Sequence, residues 1–177
     1  VLIPARSDDG SFYTGTAWLS QDADVHAGWL PYTRRNVVLT AFRLLDSPYD
    51  WSGGWFGRDH ITIYRDIFAV FGFDLPWHDG LFTFFGRSDD FVAPDAGRDR
   101  QFQKIHSHEP FITVMSCNGH AKLLLGEHND APVVFAHYGH GYTDSRREYV
   151  ELCRTYIGDM LIPAYFLNNP ITFLELK

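Results

Sequence analysis

Nine histidines supply most of this chain's acid–base and metal-ligand chemistry near neutral pH: His26, His60, His78, His106, His108, His120, His128, His137 and His140. No HxH or HExxH spacing involves His60, His120 or His137, so no local metal motif is written around them. Most are expected to be surface or capping residues. The two cysteines, Cys117 and Cys153, lack CxxC or other zinc spacing and are expected as small buried apolar residues. His60 follows Asp59 at the start of a helical pattern, where an imidazole can act as nucleophile, general base, ligand or cap. The positive end of a helix disfavours imidazolium, so a neutral ring is expected there. His120 opens a β pattern, and Lys122, two residues on, shares its face. Desolvated by neighbours such as Leu124, that lysine would lose proton affinity and could form a Schiff base with a carbonyl substrate. A lysine snorkelling to the rim is the plainer expectation. Asp50, Ser52 and His60 could form an acid–base–nucleophile set, although adjacent loop residues more often serve as turn formers.

Helices come first along the chain and strands later. Residues 1–32 hold short β-like pieces, such as 12–19, broken by Gly10, Gly15 and Gly28; a segment this short is expected to pack on the rest. Thr33 reads as an N-cap for a helix over 34–45, with Val37, Val38, Ala41, Leu44 and Leu45 on one face. Ser47 and Pro48 end it. After the aromatic and turn-rich loop 49–54, a second helix is predicted over about 60–71. Asp59 stands at its N-cap, Gly72 at its C-terminal cap, and Ile63, Ile67, Val70 and Phe71 form its stripe. Residues 74–110 read as an excursion with one short helix near 98–105. Strands follow over 111–115, 120–125 and 133–137, the last two joined by a turn at 127–130. Further β-like or helical runs span 147–157, 161–166 and 171–176. This order is that of an α+β domain. Trp51 and Phe68 are expected as core-facing anchors, one from the loop and one from the second helix.

Composition narrows the function classes. With 177 residues the chain fits one domain and needs no disulfide or metal to sustain a core. A 45% hydrophobic and 21% charged composition argues against disorder. The formal charge of −7 and a pI near 5.6 count against nucleic-acid binding, which needs a basic face. No apolar run approaches the roughly 20 residues of a membrane helix, and the first residues lack a signal-peptide layout.

Several motifs carry a family resemblance. Pro48-Tyr49-Asp50-Trp51-Ser52-Gly53, Arg58-Asp59-His60, Arg65-Asp66-Ile67-Phe68 and Phe71-Gly72-Phe73-Asp74-Leu75-Pro76 follow in order. Gly119-His120, Leu123-Leu124-Leu125-Gly126 and Pro132-Val133-Val134-Phe135 come later. Together they resemble the NlpC-type cell-wall cysteine peptidases of the papain-like superfamily, over about residues 10–140. Gly28-Trp29-Leu30-Pro31 and Thr33-Arg34-Arg35-Asn36-Val37 resemble the exit from a bacterial SH3 module. The resemblance thus implies an extension over 1–32 and a papain-like α+β domain over 33–177, with N-terminal helices packed on an antiparallel sheet or half-barrel. It also implies an extracytoplasmic bacterial setting and cell-wall stem peptides, cut at γ-D-glutamyl–diamino acid links, as the substrate class.

The same alignment puts the family's nucleophilic cysteine at His60 and its base at His120. The third polar residue falls at Ala136 or, with a slip of one, at His137. An imidazole does not replace a thiolate in amide cleavage, so peptidase activity is expected to be absent. What remains is a cleft lined by Tyr49, Asp50, Trp51, Ser52, His60, Trp77, His78, His120, Lys122 and His137. Its expected occupant is a cell-wall peptide or small ligand, held without a cofactor. The alternatives are a new acid–base activity of His60 and His120, with Lys122 as a possible participant, or a transition metal held by His60, His120 and His137. His60 and His120 are expected to face each other across the cleft.

Overall fold

The computed structural model describes residues 1–23, 25, 27–51, 58–76, 91–117, 120–139, 141–143, 149–159 and 170–176. In chain order the elements are β1 (Leu2–Arg6), β2 (Phe12–Thr16), α1 (Arg34–Phe42), α2 (Thr62–Ala69), β3 (Phe91–Val92), α3 (Arg98–His106), β4 (Thr113–Cys117), β5 (His120–His128), β6 (Ala131–Tyr138), β7 (Gly141–Thr143), β8 (Tyr149–Glu151), β9 (Arg154–Asp159) and β10 (Ile171–Glu175). A six-stranded antiparallel sheet in the order β3-β10-β4-β5-β6-β9 forms the centre. This is the α+β architecture expected from the element order.

Alternation along the strands divides the core in two. Val114, Ala121, Leu123, Phe135 and Leu174 face α1 and α2, against Val37, Ala41, Ile63, Tyr64, Ile67 and Phe68. Met115, Cys117, Leu124, Val134, Ala136 and Phe173 face the other way, where Ile105 of α3 joins them. The cross-strand register keeps each set together: Val114 pairs with Leu123, Leu123 with Phe135, and Met115 with Lys122. Asn129 and Asp130 both take positive φ (50° and 61°) in the two-residue turn between β5 and β6, the twist a tight hairpin requires.

Local chemistry fixes the helix ends. Thr33 accepts a hydrogen bond from the backbone of Asn36 and caps α1 as expected, but the regular helix ends at Phe42 rather than 45. Tighter turns finish it, with Leu44 bonded to Ala41 and Leu45 to Phe42. Asp59 Oδ1 accepts from the backbone N–H groups of Ile61 (2.8 Å) and Thr62 (2.7 Å), while Thr62 Oγ1 accepts from Asp59 N–H. This reciprocal cap starts α2. Gly72, at φ 89°, ends it, and the Trp29 ring lies against that glycine. Leu30 and Tyr32 also pack on the helical core, whereas the side chains of the β1–β2 hairpin, such as Phe12 and Tyr13, are exposed. The expected β-like or helical run over 161–166 lies outside the described residues. Among the described residues, no helix is long and apolar enough to cross a membrane.

Phe68 is fully buried between Tyr32, Phe71 and Phe73, as expected of an anchor. Trp51 is not an anchor: it is 65% exposed, because the loop turns its ring outward rather than onto the sheet. Phe68→Ala is expected to cost about 3–5 kcal/mol through the cavity it leaves. Thermal unfolding measures this; an unchanged midpoint would contradict the packing of α2.

Candidate functional site

Four segments meet at the start of α2: the loop at 48–51, residues 58–60, the start of β5 and the end of β6. Pro48 bridges to Arg154 on β9, and Tyr49 bridges in parallel to Arg58. The backbone of Tyr49 donates to the carbonyl of Cys153 (2.9 Å), and that of Asp50 to the carbonyl of Arg58 (2.9 Å). These bonds press the Tyr49 ring onto Gly139, where a Cβ would lie 2.1 Å from the ring. Only glycine fits that position.

His60 emerges one residue after the Asp59 cap. Its Nδ1 lies 3.0 Å from the hydroxyl of Tyr49, and its ring centroid is 4.7 Å from that of His120. The two imidazoles therefore face each other as expected. Burial, reinforced by the charge of Asp59, pushes the Tyr49 phenol up to about 12, so it keeps its proton across the physiological range. It can thus donate to Nδ1, a pairing that leaves a neutral His60 with its proton on Nε2. Tyr138, at the end of β6, adds a ring 5.7 Å from His120. The spacing of motifs gave no signal for Tyr138, because it acts across strands.

His137 joins the cluster in a different capacity. Its ring lies 5.1 Å from Tyr49, but both of its nitrogens are engaged. Nε2 lies 2.6 Å from the carbonyl of Arg58, which can only accept, so Nε2 carries the proton. Nδ1 then accepts from Thr155 Oγ1 at 2.7 Å. Desolvation lowers the proton affinity of His137 below the ordinary value of 6.5, in keeping with a neutral ring. With both nitrogens bonded in this way, His137 clamps β6 and β9 to the segment that carries His60. It has no nitrogen left for a metal, and no group of three His, Cys, Asp or Glu is placed to hold one among the described residues. Neither Thr155 nor the Arg58 carbonyl stood out in the sequence, since a threonine in a strand and a backbone oxygen carry no motif.

Two expectations are corrected. Lys122 does not reach the rim: it is 1% exposed, because its pairing with Met115 sets it on the covered second face of the sheet. Cys153 is exposed rather than buried, at φ 43° in the turn before β9, with its thiol 3.5 Å from the carbonyl of Gly139. Cys117 is buried as expected. Asp50 is half-buried beside Tyr49. Ser52, Trp77 and His78 lie outside the described residues.

The His137 clamp makes stability depend on pH. The unfolded chain binds a proton at this histidine near 6.5, the folded chain only at lower pH. The unfolded state therefore takes up more protons on acidification, and the contribution of the clamp, complete above 6.5, is lost as pH falls below it. His137→Gln retains a donor and an acceptor without titrating. Urea midpoints at pH 7.5 and 5.5 are expected to differ less for this variant than for the unmodified chain.

The sequence matches no family model and no curated protein. Among solved structures it is similar to a NlpC/P60 endopeptidase from Photobacterium damselae subsp. piscicida, with 16% sequence identity and a TM-score of 0.71. The match covers 98% of this chain and 45% of that one, so the chain spans less than half of its structural neighbour. An antiparallel sheet with α1 and α2 on one face, matched over nearly its whole length at that TM-score, has the NlpC/P60 fold.

Proposed function

We propose that the chain is an NlpC-type cleft in which cysteine chemistry has been lost or replaced, and that it holds a cell-wall peptide or small ligand without cutting amides. The observation that carries this reading is the imidazole of His60 at the start of α2, in ring contact with His120. By the sequence resemblance a thiol belongs there. A helix N-terminus stabilises a thiolate and so creates a strong nucleophile, whereas a neutral imidazole gains nothing from the same dipole.

Neither cysteine takes over. Cys117 sits among apolar side chains on the second face of the sheet, an environment in which thiols are inert. Cys153 directs its thiol to a carbonyl in the turn before β9. The Tyr49 hydroxyl, 3.0 Å from Nδ1 of His60, holds that imidazole in place. Exposed Trp51, two residues after Tyr49, offers a flat apolar surface. Ser52, Trp77 and His78 complete the proposed lining, and the setting is the bacterial cell envelope.

Stem peptides with a γ-D-glutamyl–diamino acid link are expected to bind saturably in calorimetry and to remain intact in chromatographic assays. His60→Cys is expected to introduce cleavage that a thiol reagent blocks. Thiol-sensitive cleavage by the unmodified chain would overturn the reading.

A second reading, acid–base catalysis by His60 and His120, draws on the same contact. Two imidazoles this close resist double protonation, so at least one is expected to titrate below about 6.5. NMR titration of the two rings measures this, and two independent, unshifted curves would remove the pair.

A further inference from the structure

We infer that the β1–β2 hairpin is a self-association surface, on which the outer edge of β2 pairs antiparallel with the same edge of a second copy of this chain. Two strands alone are marginal in water and need a third strand or a packed face. Here Leu2, Phe12 and Tyr13 are 74%, 78% and 56% exposed. A Cβ built on Gly15 would meet only atoms of the hairpin itself, from Ile3, Ala5 and Tyr13. Among the described residues, neither strand pairs with any other.

Hydrogen-bond parity distinguishes the two edges. The nitrogen of Val1 donates to the carbonyl of Ala17 and the N–H of Ala17 to that of Val1, both at 2.9 Å. Ser7 N–H donates to the carbonyl of Ser11 at the turn. Bonded pairs alternate with non-bonded ones along an antiparallel ladder. The pairs Leu2 with Thr16, Pro4 with Thr14 and Arg6 with Phe12 therefore point their backbone groups outward. On β1 the outward set includes Pro4, which has no N–H, and the charged Arg6, both devices that keep an edge unpaired. On β2 the set is Phe12, Thr14 and Thr16, with no proline and no charge in the strand. One edge is blocked and the other is open.

A second copy fits this edge because a two-fold axis at Thr14 makes it complementary to itself. Phe12 then lies opposite the partner's Thr16 and Thr14 opposite the partner's Thr14, so every outward residue of β2 enters a bonded pair. Between these pairs Tyr13 lies opposite the partner's Gly15, where no side chain competes for the space. Each aromatic ring meets a small residue, and no like charges are opposed. The exposed parts of Phe12 and Tyr13 offer about 200–300 Å² per copy. With Leu2 and the paired backbone added, the total stays near or below about 1,200 Å², the lower limit of a stable interface, so the association is reversible.

Sedimentation equilibrium of the full chain, from about 1 to about 500 μM, is expected to show a monomer–dimer equilibrium. A monomer across that range would overturn the surface. Thr14→Pro removes an N–H that the hairpin itself does not use, so circular dichroism is expected to be unchanged while the dissociation constant rises at least about tenfold. Thr14→Lys and Thr14→Glu keep the N–H but set like charges opposite each other across the axis, and each is expected to weaken self-association about fivefold. An equimolar mixture of the lysine and glutamate variants is expected to associate at least as tightly as the unmodified chain, since opposite charges then meet. A mixture that stays as weak as its components, or a dimer unaffected by all three substitutions, would overturn pairing through β2.

Discussion

The carbonyl oxygen of Arg58 accepts two hydrogen bonds, from the backbone of Asp50 and from Nε2 of His137. Through the first it holds the loop that carries Tyr49; through the second it holds β6. One residue later Asp59 caps α2, and one further on His60 meets the ring of His120. The geometry of this junction therefore depends on one backbone oxygen whose two lone pairs are both used. A buried carbonyl left short of a partner costs about 1–3 kcal/mol, which gives this junction a definite energetic preference for the observed arrangement.

Tyr64 makes the matching connection one turn along α2. It is fully buried, and its hydroxyl lies 3.1 Å from the carbonyl of Ala121 on β5 and 3.0 Å from that of Phe135 on β6. Burial raises its proton affinity well above the usual phenol value, so the hydroxyl stays a donor. Helix α2 is thereby registered against the two strands that bring His120 and His137. An α2 shifted along its axis would break this contact and the Arg58 junction together.

Strand alternation explains why His60, His120 and His137 do not act as equivalents. His137 shares the parity of Phe135 and reaches the helical side, where it meets the Arg58 carbonyl. His120 shares the parity of Lys122 and Leu124, on the second face, and meets His60 from the strand's first position. One ring is spent on holding segments together; the other two confront each other. A bulge at Leu124–Gly126 changes the parity further along β5, so this relation holds only over its first residues.

The sequence by itself determined the order of α1, α2, α3, β4, β5 and β6, the caps of both early helices, the β5–β6 turn and the resemblance that paired His60 with His120. Each follows from local rules: Asp59 and Thr33 bond to their own next turn, and Asn129-Asp130 tolerates positive φ. The tertiary structure decided burial and partnership. Period two places Lys122 with His120, but nothing local says that this face is covered, so a lysine expected at the rim lies inside. Trp51 and Cys153 show the converse, apolar residues that their turns hold outward. His137 needed Thr155 and a carbonyl 79 residues away in sequence to become a clamp between segments. Periodicity assigns a side chain to a face of its own element; only the packing of distant elements decides what that face meets.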